Sequence, residues 1–274
     1  MGRNIKMSQR LQCSMQLVSL KSDIFSMEYP VFALDGKSKE PFSLVHKGVS
    51  IQVTPSILGR ATVKDKEIII YCLSHLMTLH NLGFETGNTV AFTGYDFLTT
   101  MGRNTSGKDY IQLETALRRL AGTRITTNYK IKNKRIVEDV GLIEEFRAEF
   151  DGRDKLFNVT LADWLIGCTQ ASYILTLNNQ YSSLTKPFDR RIYEICRKFC
   201  GAKSSFSISL DNVRKRLGIK GNNSVLRRKL GLLERVLDYR LRVDKHNLLI
   251  FSDTEKGRKK LADFQINQLS INNR

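Results

Sequence analysis

The chain has 274 residues, 41% hydrophobic and 26% charged, a balance that excludes wholesale disorder and fits one large domain or two small ones. Its longest strongly apolar run lies near Ile68–Leu73, far short of the roughly 20 residues that span a bilayer. The net charge is +17, and it is uneven: residues 186–274 carry +13 and the remainder +4, which points to a polyanion-docking surface in the C-terminal third.

In chain order, residues 1–30 show little periodicity and are expected to form a flexible N-terminal arm. Residues 31–59 mix short apolar runs with Asp35-Gly36, Pro41 and Pro55, a pattern of short strands and turns. Asp65 then reads as a helix N-cap, with Ile68, Ile69, Cys72, Leu73, Leu76 and Leu79 at helical spacing and Gly83 as the stop. Tyr95–Met101 is predicted as a short helix ending at Gly102. A polar turn, Arg103–Gly107, leads into an amphipathic helix, Lys108–Ala121, with Leu113, Ala116, Leu117 and Leu120 inward. Helix, short turn, helix is the helix-turn-helix signature. Thr123–Ile131 and Ile136–Phe150 are then predicted as a β-hairpin with the basic turn Lys132-Asn133-Lys134-Arg135 at its tip, which makes the motif a winged one. Leu156–Leu161 adds a third strand, and Trp164 and Leu165 a short helix beneath it.

The second half repeats this plan. Asp189, Ile192 and Cys196 echo Asp65, Ile68 and Cys72 in a D-x-x-I-x-x-x-C pattern. Phe206–Leu217, stopped by Gly218, echoes Phe92–Met101; the turn Lys220–Ser224 echoes Arg103–Gly107; and a helix predicted over Val225–Tyr239 echoes Lys108–Ala121. A second hairpin turns at Asp244–Asn247. The expected fold is therefore α+β, two tandem winged-helix domains. The boundaries are an arm over 1–30, a first domain over 31–184, a second over 185–255 and a basic, polar tail over 256–274.

Enzymatic readings fare poorly. Gly102–Asp109 matches the phosphate-loop pattern G-x-x-x-x-G-K-[ST] except at its last place, where a Mg²⁺-binding hydroxyl is replaced by Asp109. His46, His75, His80 and His246 form no ligand pair, and no G-x-S-x-G elbow occurs. The five cysteines, with no secretory signal ahead of them, suit reduced structural thiols in a cytoplasm. No catalytic constellation, metal or cofactor is expected, and no membrane partner.

Duplex DNA fits better. Lys108, Gln112, Thr115 and Arg119 lie on the outward side of the first amphipathic helix, with Arg103, Thr105 and Ser106 in the turn before it. Lys and Gln there suit the edges of G and A in the major groove, while Arg118, Arg119 and Arg124 suit flanking phosphates. In the second copy Arg214, Lys220, Asn222, Asn223 and Ser224 stand around the turn, and Arg227, Arg228 and Arg235 are predicted to face out from the helix. Lys130, Lys132, Lys134 and Arg135, and later Lys245, are the predicted wing-tip cations. Tyr95, Phe97, Phe188, Tyr193, Phe199 and Trp164 are read as core, so single-strand binding by base stacking is not favoured.

Several segments resemble the plasmid replication initiator protein A family: Glu40–Leu44, Glu67–Cys72, Tyr95–Leu98, Gly102–Tyr110, Leu117–Leu120, Thr126–Asn128, Leu161–Trp164 and Arg190–Tyr193. The resemblance implies a bacterial, cytoplasmic initiator that binds double-stranded direct repeats (iterons) at a plasmid origin through both modules. It further implies opening of an adjacent AT-rich segment, engagement of a host replicative helicase and host initiator, and exchange between homodimer and monomer. Two modules would then place two helices in successive major grooves about 34 Å apart. A winged-helix transcriptional regulator on a promoter operator is the alternative.

Overall fold

The computed structural model describes residues 17–36, 38–46, 48–128, 130–131, 134–135, 139–151, 154–171 and 173–272. They form two compact units. The first comprises the described residues up to Ser26 together with Val31–Ser183, and the second comprises Met27–Pro30 and the described residues from Leu184 on. No described helix is long and apolar enough to cross a membrane.

The first unit runs β1 (Lys21–Asp23), α1 (Ile24–Glu28, its last two residues in the second unit), β2 (Phe42–His46), β3 (Val49–Thr54) and α2 (Lys66–Asn81). It continues with β4 (Thr89–Thr93), α3 (Gly94–Thr100), α4 (Gly107–Gly122), β5 (Arg124–Thr127), β6 (Lys130–Ile131), β7 (Lys134–Arg135) and β8 (Val140–Gly141). The hairpin β9 (Ile143–Asp151) and β10 (Asp154–Leu161), then α5 (Asp163–Gln170), β11 (Ile174–Thr176) and a 3-10 turn (Tyr181–Ser183), complete it. The apolar run at Ile68–Leu73 makes α2 apolar on every side of its first turns, so that part of the helix is buried all round, as such composition requires. Around it Tyr71, Phe92, Phe97 and Phe157 pack ring against ring, with centroids 5.1–5.8 Å apart.

The second unit runs α6 (Pro187–Phe199), β12 (Ser205–Ser209), α7 (Leu210–Leu217), α8 (Asn223–Gly231), β13 (Arg235–Val236), β14 (Tyr239–Val243), β15 (Asn247–Ser252) and α9 (Glu255–Asn272). Helix, strand, helix, helix and hairpin is the winged-helix order. Its sheet is ordered β12-β15-β14-β13, so the strand ahead of the helix pair joins the returning strand of the wing. Arg191, fully buried, donates to the carbonyls of Arg216 and Met27 at 3.0 Å each and to Glu194 at 2.8 Å, which fastens α6 to the end of α7 and to the 27–30 segment.

The same order exists in the first unit as α2, β4, α3, α4, β9 and β10, whose strands form the sheet β4-β10-β9. Both units are winged helices. The wing of the first, however, is β9–β10 and not the hairpin predicted after α4. Strand β5 leaves α4 to join the separate sheet β2-β3-β5-β8, and β6–β7 form a two-stranded ladder of their own. Alternation of β-branched residues marks strands without naming their partners, and the pairing is non-local.

Two further expectations change. Residues 20–30 are not an arm: Lys21–Asp23 pair antiparallel with Ile174–Thr176, and Leu20, Phe25, Met27 and Tyr29 are buried. Asp23 accepts from the amide and the hydroxyl of Ser26, both at 2.6 Å, and so opens α1. Three paired residues are too few to display periodicity. Residues 255–272, expected as a tail, are the helix α9, seated on β15 with Phe264 5.9 Å from Phe251.

Candidate nucleic-acid interface

The helix pair of each unit is closed by a left-handed glycine. Gly102 (φ +63°) follows α3 and Gly218 (φ +66°) caps α7, and both conformations are ones that L side chains resist. The turn then reverses the chain into α4 or α8.

In the first unit the turn is anchored to the start of α2. Arg103 is half-buried, paired with the buried carboxylate of Glu67, donating to the Lys64 carbonyl at 3.1 Å, with its guanidinium over the Phe97 ring. Thr105 and Ser106 are exposed. Asp109 folds back on Ser106, accepting from its amide at 3.2 Å and from its hydroxyl. This explains the broken phosphate-loop pattern: the residue in the hydroxyl's place closes the helix N-terminus with its own carboxylate.

Along α4, Lys108, Ile111, Gln112 and Arg118 are exposed. Lys108, Gln112 and Arg118 make no hydrogen bond or ion pair within the described residues. Thr115 is partly covered and its hydroxyl donates to the Ile111 carbonyl at 2.7 Å. Arg119 does not face outward as expected. It forms a two-pronged pair with buried Asp65, at 2.8 and 2.7 Å, and that carboxylate holds its pKa above the ordinary arginine value. Asp65 precedes α2 as its cap residue, but its side chain serves the Thr62 amide and Arg119 in place of a helix N–H. Arg124 heads β5 and is paired with Asp139 at 3.1 Å.

Three of the four cations expected at the first wing tip are not on the wing. Lys130, Lys134 and Arg135 lie in the β6–β7 ladder, where the backbone alone is described, and Lys132 falls outside the described residues. The wing itself exposes Glu144, Glu145, Arg147 and Glu149, and Lys155 on its second strand is paired with Glu114 of α4.

The second unit is different in charge. Helix α8 contains Arg227, Arg228 and Lys229 and no acidic residue, whereas α4 offsets Lys108, Arg118 and Arg119 with Asp109 and Glu114. Asn222 caps α8, accepting from the Ser224 amide at 3.2 Å and its hydroxyl at 2.6 Å. Lys220 and Ser224 are exposed beside it. Asn223 and Arg214 are engaged within the motif: both donate to exposed Asp211, at 3.1 and 3.2 Å, and Arg214 donates to Asn223 at 3.3 Å. These hydrogen bonds, from Asn223 first and then Arg214, hold the Asp211 carboxyl below its usual range.

Helix α8 ends at Gly231, eight residues before the predicted Tyr239. Arg235 is consequently on strand β13, bound to Asp253 at 3.0 Å and to the Leu237 carbonyl at 2.9 Å, and is not part of the helix face. Glycine is a poor helix former and leaves nothing to pack, so the apolar spacing through Leu233 and Leu237 belongs to the turn and strand that follow. Arg228 is exposed and makes no hydrogen bond or ion pair within the described residues. Arg227 donates to the backbone carbonyl of Lys245 at the wing tip, where Asp244 accepts from the amides of His246 and Asn247 at 2.8 and 2.6 Å and leaves Lys245 and His246 exposed.

Lys229 and His246 are absent from the predicted contacts, yet both are exposed, on α8 and at the wing tip. Ile111 and Val225, likewise absent from them, are exposed aliphatics on the outward sides of α4 and α8. Of the aromatics, Phe97, Tyr193 and Trp164 are buried, but Tyr95 is 59% exposed at the first turn of α3.

Fold and surface together define a tandem winged-helix protein whose second unit presents an acid-free cationic helix beside a wing tip that exposes Lys245. The chain belongs to the Replication initiator protein A family, whose profile matches residues 21–241. It is 33% identical over 248 residues to a "Putative replication protein" of Wigglesworthia glossinidia brevipalpis, a match covering 86% of this chain and 89% of that one. Its fold is similar to the crystal structure of selenomethionine derivatives of domains 2 and 3 of RctB, with a TM-score of 0.58 at 13% identity, covering 85% of this chain and 97% of that one. A second structure of RctB domains 2–3 gives 0.54 at 11% identity, covering 84% and 96%.

Proposed function

We propose that this protein starts replication by binding repeated duplex DNA sites at an origin, with α4 and α8 as the helices that enter major grooves. The observation that carries the reading is on α8: three cations without an acid, one of them tied to the wing tip, so that helix and wing adjoin as one surface. Such an arrangement suits phosphates on either side of a groove. The proposed division of labour is that α8 and its wing supply most of the electrostatic attraction. Helix α4, with exposed Lys108 and Gln112 and an acidic wing, supplies base contacts. The action proposed is binding and deformation of DNA, with no covalent chemistry.

The test is footprinting and mobility-shift titration of the full chain on the DNA flanking its coding region. Direct repeats there should be protected. About 6–10 neutralised phosphates should give a log K against log salt slope of about −5 to −9. Equal affinity for random duplex at physiological salt, or a flat salt profile, overturns the reading. Strand cleavage of supercoiled origin DNA by the purified chain with a divalent metal would overturn the non-catalytic mode.

A further inference from the structure

Helix α4 carries its most outward side chain where a polar one is expected. At about 100° per residue, Ile111 lies about 170° from the mean direction of Leu113, Ala116, Leu117 and Leu120, the buried stripe. It is 66% exposed, and the positions around it on that face are Lys108, Thr115, Arg118 and Glu114, the last paired with Lys155, with Gln112 at the edge. An aliphatic centre within a polar ring of mixed charge offers nothing to a phosphate, and it is too small an apolar area for a protein-docking patch. It suits a surface that is polar overall but holds isolated methyl groups. The major groove is such a surface, since thymine alone among the bases projects a methyl group there, at C5. On α8 the outward pole is Arg228, and one turn N-terminal to it stands Val225, 50% exposed and flanked by the capped Ser224.

We propose that Ile111 is a specificity-determining residue that packs on the C5-methyl of a thymine, with Val225 its counterpart on α8. This rests on the duplex-binding reading above. Each helix then pairs an aliphatic thymine contact with a neighbouring polar reader, Gln112 beside Ile111 and Arg228 beside Val225, suited to adenine and guanine respectively.

The experiment uses the full chain and short duplexes that it selects from a randomised library. Each thymine of the selected duplex is replaced in turn by deoxyuridine, which keeps every hydrogen-bonding group and removes only the methyl. Wild type should lose about 3–10-fold in affinity at one or two positions, the scale of burying one methyl group. Ile111→Ala should bind the thymine and deoxyuridine duplexes at one of those positions equally, and Ile111→Val should restore part of the difference. Val225→Ala should abolish the effect at a different position. No deoxyuridine effect at any position, or an Ile111→Ala variant that discriminates as well as wild type, overturns the proposal while leaving duplex binding intact. Failure to select any duplex overturns the duplex-binding reading itself, and with it this proposal.

Discussion

Arg119 and Asp65 are joined by two hydrogen bonds of 2.8 and 2.7 Å that tie the last turns of α4 to the residue preceding α2. With side-chain exposures of 20% and 3%, the pair is largely removed from solvent. Its role is to hold the outward helix at a fixed angle on the unit's central helix. Asp65→Asn or Arg119→Ala should therefore destabilise the first unit by about 1–3 kcal/mol, less than for a fully buried pair because the arginine retains some water. Urea unfolding of the two single variants and the double variant checks this. The double variant should lose much less than the sum of the singles.

Arg228 is expected to behave in the opposite way. Exposed at the outward pole of α8, it should be removable with no more than about 0.5 kcal/mol change in stability. Arg228→Ala should weaken DNA binding. If Arg228 meets a phosphate, the loss is uniform across sequences and the salt slope falls by about 1; if it meets a guanine, one base position loses about 1–3 kcal/mol of preference. Salt titrations on matched and single-mismatch duplexes separate the two.

Gly257 fixes the seat of α9. A Cβ at this position would collide with the carbonyl oxygen of Ser252 and lie 2.9 Å from that of Ser204, both of them backbone atoms that cannot swing aside. Gly257→Ala should lever α9 off β15 and weaken the contact between Phe264 and Phe251. A loss of about 1–3 kcal/mol in the second unit is expected, as for overpacked cores. Faster amide exchange in β15 and α9, with α8 unchanged, is the measurement.

His75 gives the first unit a pH dependence. It is buried in α2 against the Tyr71 ring, 4.5 Å between centroids, and burial pushes its pKa down from 6.5 to about 4. Neither ring nitrogen has a hydrogen-bond partner within the described residues. Between those values the unfolded chain binds more protons than the folded one, so stability is complete above the unfolded value and falls as pH drops toward the folded one. The loss between pH 7.5 and pH 4.5 should be on the order of 2–3 kcal/mol from this group. His75→Leu should flatten that part of the urea-midpoint profile.

The helices of both motifs were legible because each carries its own signals. Leu113, Ala116, Leu117 and Leu120 repeat at helical spacing and are all buried, as are Leu226 and Leu230. Gly102 and Gly218 stop the preceding helices at the places their sequence positions foretold. Much of the predicted surface was not legible. Arg103, Arg119, Arg214 and Asn223 have the composition of DNA contacts, yet each is bound to an acid of its own unit. The acids that claim them lie 36 and 54 residues away for Arg103 and Arg119, a distance no local pattern spans.

The sequence by itself determined the α+β class, the repeated helix-turn-helix plan, the family and the concentration of positive charge toward the C-terminus, because periodicity, capping and composition are properties of neighbouring residues. Tertiary structure decided which hairpin is the wing, that residues 21–23 complete a sheet with 174–176, and which cations face solvent. Strand partners and ion pairs are chosen by chain closure over long loops, where the winning contact is the one that buries apolar area and satisfies polar groups together. A side chain's chemistry states what it is able to bind; only its neighbours in space decide whether that capacity is already taken.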